Sequence, residues 1–235
     1  TFLVCTAGVS TMIAVLFLVS PARSEGRSHG SLVSNFTASL EYIRGHEVFA
    51  KVIVAALLNA TLAMGYVNML PVFAKDVLEV DSRGLGILTS AAGVGALAGL
   101  LSYGWLQLRM SPRNLMVGAL TAYNLALLGL AFSDWFLLSI VAIFFAGLCH
   151  GYFLTCSQVI LQTMVEERYR GRVMSVFTLV WSLVALSGFL LNMAGSLMGP
   201  RLALASGAAT MLAYVWLSLA RGAALRDLVL APKPG

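Results

Sequence analysis

His150 lies deep inside an apolar run, Ala146–Gly147–Leu148–Cys149–His150–Gly151–Tyr152. An imidazole in such surroundings can donate to a polar ligand or carry a proton near neutrality. The alternative is a neutral ring hydrogen-bonded across to a neighbouring helix. Ser157 follows two helical turns later on the same face, with Gln158 beside it. Asn59 and Tyr66 occupy an earlier apolar run, and Trp181 a later one. An amide there can wall a polar cavity or make an interhelical hydrogen bond. An indole can stack on an aromatic or macrocyclic ligand or simply fill the core. These are neutral donors, neutral acceptors and ring faces, the chemistry of binding rather than of bond cleavage. The sequence shows no Ser/His/Asp set, P-loop or cluster of metal-ligand spacing, so the expectation is no enzyme, no cofactor and no metal. Cys5, Cys149 and Cys156 lack CxxC spacing and read as small apolar residues.

Two further groups stand out. Gly93-x-Gly95-x-x-Ala98 has the form of a dinucleotide fingerprint, but no strand precedes it and no acidic residue follows at the required distance. Gly93, Gly95 and Gly99 read instead as a helix-packing surface, with Gly95 and Gly99 spaced as GxxxG. Arg109 and Arg113, and then Glu166, Glu167, Arg170, Gly171 and Arg172, form two charged turns between apolar runs. They read either as topology signals at the lipid headgroups or as a charge latch. Gly171 between two arginines predicts a specific turn.

The elements that carry these residues are membrane helices. Only 11% of the 235 residues are charged and 59% are hydrophobic, against roughly 25% charged in soluble domains; such a chain cannot coat a soluble surface. Seven apolar segments are expected, at about 1–20, 48–74, 84–108, 113–132, 135–165, 173–197 and 202–220. Ser111 before Pro112 marks a helix start, and Pro71 lies where a kink near a helix end costs least. Of the fifteen Lys and Arg, only Lys75, Arg83 and Arg201 lie in one set of alternate gaps; the other twelve lie in 21–51, 109–113, 168–172 and 221–235. Cytoplasmic loops retain Lys and Arg, so the linker at 21–47 and the tail at 221–235 are expected inside. The net charge of +5 then faces anionic headgroups rather than nucleic acid. Within the linker, Phe36, Leu40 and Ile43 predict a short amphipathic helix along the membrane surface. Seven helices suit either a self-standing seven-helix binding or signalling protein, or one helix followed by a bundle of six. A half-size carrier working as a dimer is a third arrangement. The long linker favours one plus six.

Two charged turns then resemble those of the major facilitator superfamily. Gly104, Leu106, Arg109 and Arg113 match its G-x-L-x-D-R-x-G-R-K motif, with Leu108 in place of the acid and Ser111 in place of the second glycine. Arg170–Gly171–Arg172–Val173–Met174–Ser175 is similar to the turn between helices ten and eleven in the enterobactin-exporter and macrolide-efflux branch. The runs Leu70–Pro71–Val72–Phe73–Ala74 and Gly93–Val94–Gly95–Ala96–Leu97 are similar to the same branch. The resemblance implies an all-α membrane protein: helix six at 1–20, a linker, and the C-terminal six-helix bundle at 48–220 built from two inverted three-helix repeats. It also implies a missing N-terminal half, a bacterial inner-membrane location, and outward transport of small molecules such as siderophores or macrolides in exchange for protons.

Overall fold

The computed structural model describes residues 42–220, the side chains of 219 and 220 excepted. The first expected span, most of the linker and the tail lie outside the described residues. Residues 42–45 are helical, and Ile43 from the expected linker face is buried. Then follow α1 (Glu47–Leu58), a π-helical stretch Asn59–Ala63, α2 (Tyr66–Asp76), α3 (Ser82–Leu106), α4 (Pro112–Ala131), α5 (Phe136–Met164), α6 (Glu167–Ser182), α7 (Val184–Met198), α8 (Pro200–Tyr214) and a second π stretch, Val215–Ala220. No strand occurs among the described residues. Five helices are long and apolar enough to cross a bilayer: Glu47–Asp76, α3, α4, α5 and Glu167–Met198. The α8 helix and its π extension occupy the place of the seventh expected span.

The helix starts follow from local chemistry. Asp81 accepts from the Arg83 and Gly84 amides at 3.1 and 3.0 Å. Ser111 accepts from Asn114 N at 3.4 Å, with Pro112 as the first residue of α4. Gly199 turns the chain into α8 with φ 87°, a conformation that favours glycine. Pro71 does not end its span. The helix runs through it to Asp76, and the winding instead changes earlier, at Asn59–Ala63. The charged turn before α6 is also displaced. It falls at Val165 and Glu166, which are extended, whereas Gly171 lies inside α6 with open space around it. The turn expected at Gly171 is therefore an ordinary stretch of helix.

The closest packing is between α3 and α5. A Cβ added at Gly95, Gly99 or Gly147 would fall under 3.0 Å from the backbone oxygen of Phe144, Leu148 or Ala92 respectively; at Gly151 it would lie 2.8 Å from Ala96 O. Each helix thus offers a glycine pair four residues apart, and the backbones touch. In lipid this contact replaces a hydrophobic driving force, because tails are as apolar as the side chains. Gly93 is not part of it: the residue is exposed, with nothing near a would-be Cβ. Ser102 Oγ and Tyr152 OH, 2.7 Å apart, join the same two helices further along.

Two apolar clusters form the interior. One gathers Phe49, Val52, Met116, Phe153, Phe177 and Met211. The other gathers Leu70, Phe73, Leu88, Leu127, Ile143 and Leu204. On the outer surface Leu101, Leu197 and Trp135 are at least three-quarters exposed, as suits helices meeting lipid or another protein. Asp134, before α5, forms an ion pair with Arg201, at the start of α8, tying that loop to the last described span.

Candidate functional site

The candidate residues fall at the seam between the two apolar clusters. On α5, Cys149 belongs to one cluster and Phe153 to the other, with His150 between them. On the first span the same boundary runs between Ala60 and Ala63, within the π stretch. On the span formed by α6 and α7 it runs between Val180 and Leu191, across the break at Leu183.

His150 is ringed by aromatic groups from other helices. Its ring centroid lies 5.5 Å from Trp181, near-perpendicular, and 5.5 Å from Tyr123. Tyr123 in turn meets Tyr66 edge-on at 6.4 Å, and Trp181 meets Phe177 at 6.1 Å. Edge-to-face geometry at these distances is the favourable one for rings with negative faces. The chain of contacts Tyr66–Tyr123–His150–Trp181 therefore joins four spans at one level. Tyr123 also points its hydroxyl at Met64 Sδ, 4.0 Å away.

Several buried polar atoms in these spans lack protein partners. Asn59 is fully buried, and neither its Nδ2 nor its Oδ1 is hydrogen-bonded. The same holds for His150 Nδ1, Trp181 Nε1, Ser157 Oγ and Ser187 Oγ. An unpaired buried amide or hydroxyl costs on the order of 1–3 kcal/mol, so native proteins rarely leave several together unless a ligand, water or proton uses them. Asn124 is half satisfied: its Nδ2 donates to Leu120 O at 2.8 Å within its own helix, while its Oδ1 has no partner. No charged side chain is buried among the described residues.

The local breaks explain how these groups come together. In the π stretch Met64 N bonds back five residues, to Asn59 O, at 2.8 Å. Such bulges often mark functional positions. Gly65 follows at once, and a Cβ there would lie 2.5 Å from Ser187 Oγ and 2.9 Å from Ser187 O. Only glycine lets the first span sit this close to the start of α7. Ser187 comes just after the interruption at Leu183, so the two broken helices meet near their breaks.

The structure thus joins Tyr66, His150 and Trp181 in one contact chain. Asn59 is buried in the π stretch on the same seam. Ser157 lies about 10 Å further along α5, at 1.5 Å per residue, with half-buried Gln158 next to it. Tyr123, Ser187 and Gly65 were not anticipated. Tyr123's only sequence signal is a phenol in mid-span. The charged turns are separate from this site. Arg109 stacks on Trp105 at 4.2 Å, and Arg168 lies over Tyr169 at 5.6 Å. Arg113 and Arg172 are half-buried, while Glu166, Glu167 and Arg170 are exposed. Tyr169 stacks on Tyr42 at 4.3 Å and 15°, clasping the end of the linker.

A multi-pass helical membrane protein, with an aromatic and polar layer in mid-bundle where two broken helices meet, is the class that this fold and site define. The family follows from comparison. The family model of the Major Facilitator Superfamily matches residues 1–189 and, overlapping them, residues 74–229, and the chain belongs to that family. It is also 21% identical over 160 residues to the Staphyloferrin A transporter of Staphylococcus aureus (strain NCTC 8325 / PS 47). That overlap takes in 68% of this chain but 40% of the relative, so the chain spans well under half of the relative's length in this match.

Proposed function

We propose that the chain is helix six, the linker and the C-terminal half of a secondary exporter that works by alternating access in a bacterial inner membrane. Its substrates are amphipathic small molecules such as siderophores or macrolides, moved outward in exchange for protons. The observation that carries this reading is the ring chain Tyr66–Tyr123–His150–Trp181, whose His150 Nδ1 and Trp181 Nε1 are buried without partners, together with unpartnered Asn59 and Ser187 near the two helix breaks. Ring faces would hold the apolar part of a substrate, and the amide, imidazole and hydroxyls its polar part. The lack of buried charge among the described residues suits a neutral or amphipathic molecule better than a bare ion. The similarity to a staphyloferrin A transporter favours the siderophore end of that range.

In this mechanism the spans 47–131 and 136–220 are the two inverted repeats. Substrate shifts the balance between inward- and outward-open states by binding them differently. His150 is the imidazole at the level of the site and is the candidate proton carrier in this half. Arg109, Glu166, Glu167, Arg170 and Arg172 would latch the cytoplasmic side through pairs with the N-terminal half; Arg113, which lines a groove on the far side of α4, is not in this set. The test is efflux by the full-length protein, with and without a proton uncoupler. Uncoupler should abolish efflux, and His150→Ala should lower it about tenfold, the worth of one functional hydrogen bond, with the thermal transition preserved. Efflux that persists under uncoupler removes the proton clause; unchanged transport in the variant makes His150 a packing residue.

A further inference from the structure

On the side of α4 away from the candidate site lies a groove of about 600 Å³. The two sides are set by helical periodicity. Met116, Leu120, Tyr123 and Leu127 share the buried face, while Gly118, Thr121 and Leu125 point the opposite way and line the groove. Trp216, from the π stretch after α8, forms the facing wall. The groove therefore opens outward, where a membrane protein meets lipid.

Its chemistry is graded along its length. Arg113 and Asn114 line the end that charge sorting places at the cytoplasmic surface. Arg113 Nε is buried, so that side chain is folded into the groove. Leu125 lies twelve residues deeper, about 18 Å along the helix, close to the depth of one leaflet's hydrocarbon. Thr121, between them, behaves unlike other helical threonines here. Thr61, Thr89, Thr155, Thr163, Thr178 and Thr210 each donate to the carbonyl four residues back, at 2.7–3.0 Å. Thr121 Oγ1 is buried with no hydrogen-bond partner. A buried hydroxyl with no local bond to break can turn about χ1 toward an acceptor in the groove that its side chain lines.

We propose that this groove holds an anionic glycerophospholipid of the cytoplasmic leaflet. The phosphate sits against Arg113 at the mouth, an ester carbonyl accepts from Thr121, and an acyl chain lies along Gly118 and Leu125 against Trp216. A cation at the surface, a donor beneath it and an apolar trough one leaflet deep match the order of groups in such a lipid. A soluble anion would have no use for the trough, and a sterol-like molecule none for the cation.

Gly118 makes the test clean, because a Cβ there meets nothing within 4 Å; a side chain would enter the groove and not the core. The full-length protein, purified in mild detergent, is incubated with equal phosphatidylglycerol and phosphatidylcholine, and retained lipid is counted by native mass spectrometry. Phosphatidylglycerol should be retained in preference. Arg113→Gln should reduce that preference about fivefold, the worth of one cation near an anionic headgroup. Gly118→Leu should lose the retained lipid while its thermal transition holds, and Thr121→Val should weaken retention without changing the groove's shape. Equal retention of both lipids by the unaltered protein overturns the proposal, as does undiminished phosphatidylglycerol on Gly118→Leu. If Gly118→Leu does not fold, Arg113→Gln decides alone, and an unchanged preference overturns it.

Discussion

Substituting the glycines between α3 and α5 by alanine should produce a graded loss of stability ordered by geometry. At all four glycines a new Cβ would fall under 3.0 Å from a backbone oxygen, which no side-chain rotation can relieve, and the overlap is deepest at Gly95, Gly99 and Gly147. A carbon and a carbonyl oxygen settle at about 3.3–3.6 Å, so the helices must part there by about 1–1.5 Å. At Gly151, where the distance is 2.8 Å, about 0.5 Å suffices. A radial gap of about 0.5–1 Å forfeits a quarter to a half of each dispersion contact, and α5 is 29 residues long, so the loss extends along the interface. Overpacking of this kind costs about 1–3 kcal/mol, against up to about 1 kcal/mol regained from alanine's better helix propensity. Net losses of about 1–2 kcal/mol are expected for Gly95→Ala, Gly99→Ala and Gly147→Ala, and near zero for Gly151→Ala. Gly93→Ala is the internal control, because open space surrounds that position; it should be neutral or slightly stabilising. The assay is thermal unfolding of the full-length protein in detergent. The reasoning fails if Gly93→Ala lowers the transition as far as Gly95→Ala does, or if Gly95→Ala leaves it unmoved.

Two other outcomes are expected. Asn59→Leu removes a fully buried amide with no partner and replaces it with an apolar group of similar size. Thermal stability should hold or rise by about 1 kcal/mol, while transport falls; a large loss of stability would show the amide to be structural. The Asp134–Arg201 pair is largely exposed, with Asp134 at 71%, so breaking it with Asp134→Asn should cost under about 1 kcal/mol and less at high salt. A double-mutant cycle with Arg201→Gln measures the coupling directly, and a value well above that range would make the pair a structural clamp between the loop before α5 and the start of α8.

The apolar segments, their order and several helix starts were legible because each depends on local sequence. A run of about twenty apolar residues is long enough to span hydrocarbon, and Ser111–Pro112 caps a helix whatever surrounds it. The Gly95/Gly99 surface was legible for the same reason, since small residues four apart bring backbones close. Its partner, Gly147 and Gly151 in α5, went unread, although the spacing is identical. The turn expected at Gly171 was misplaced because a glycine there is compatible with helix, and the chain turned instead at Val165 and Glu166. The break at Asn59–Ala63 had no composition to announce it, while Pro71, the obvious breaker, was accommodated.

By itself, then, the sequence determined that this is a membrane-spanning helical protein, where most of its helices begin and end, and which loops carry the positive charge. Those properties follow from lengths, caps and charges that act within a few residues. The tertiary structure alone decided which residues meet. A helix that is apolar all round carries no stripe to say which face is inward, and in lipid no hydrophobic force sorts the faces. Close backbone approach at Gly65 and Gly95, and the meeting of two broken helices, therefore set the arrangement. That is why Tyr123 turned inward to join His150 and Trp181, why Thr121 faced the opposite side, and why Asn59 was left buried without a partner.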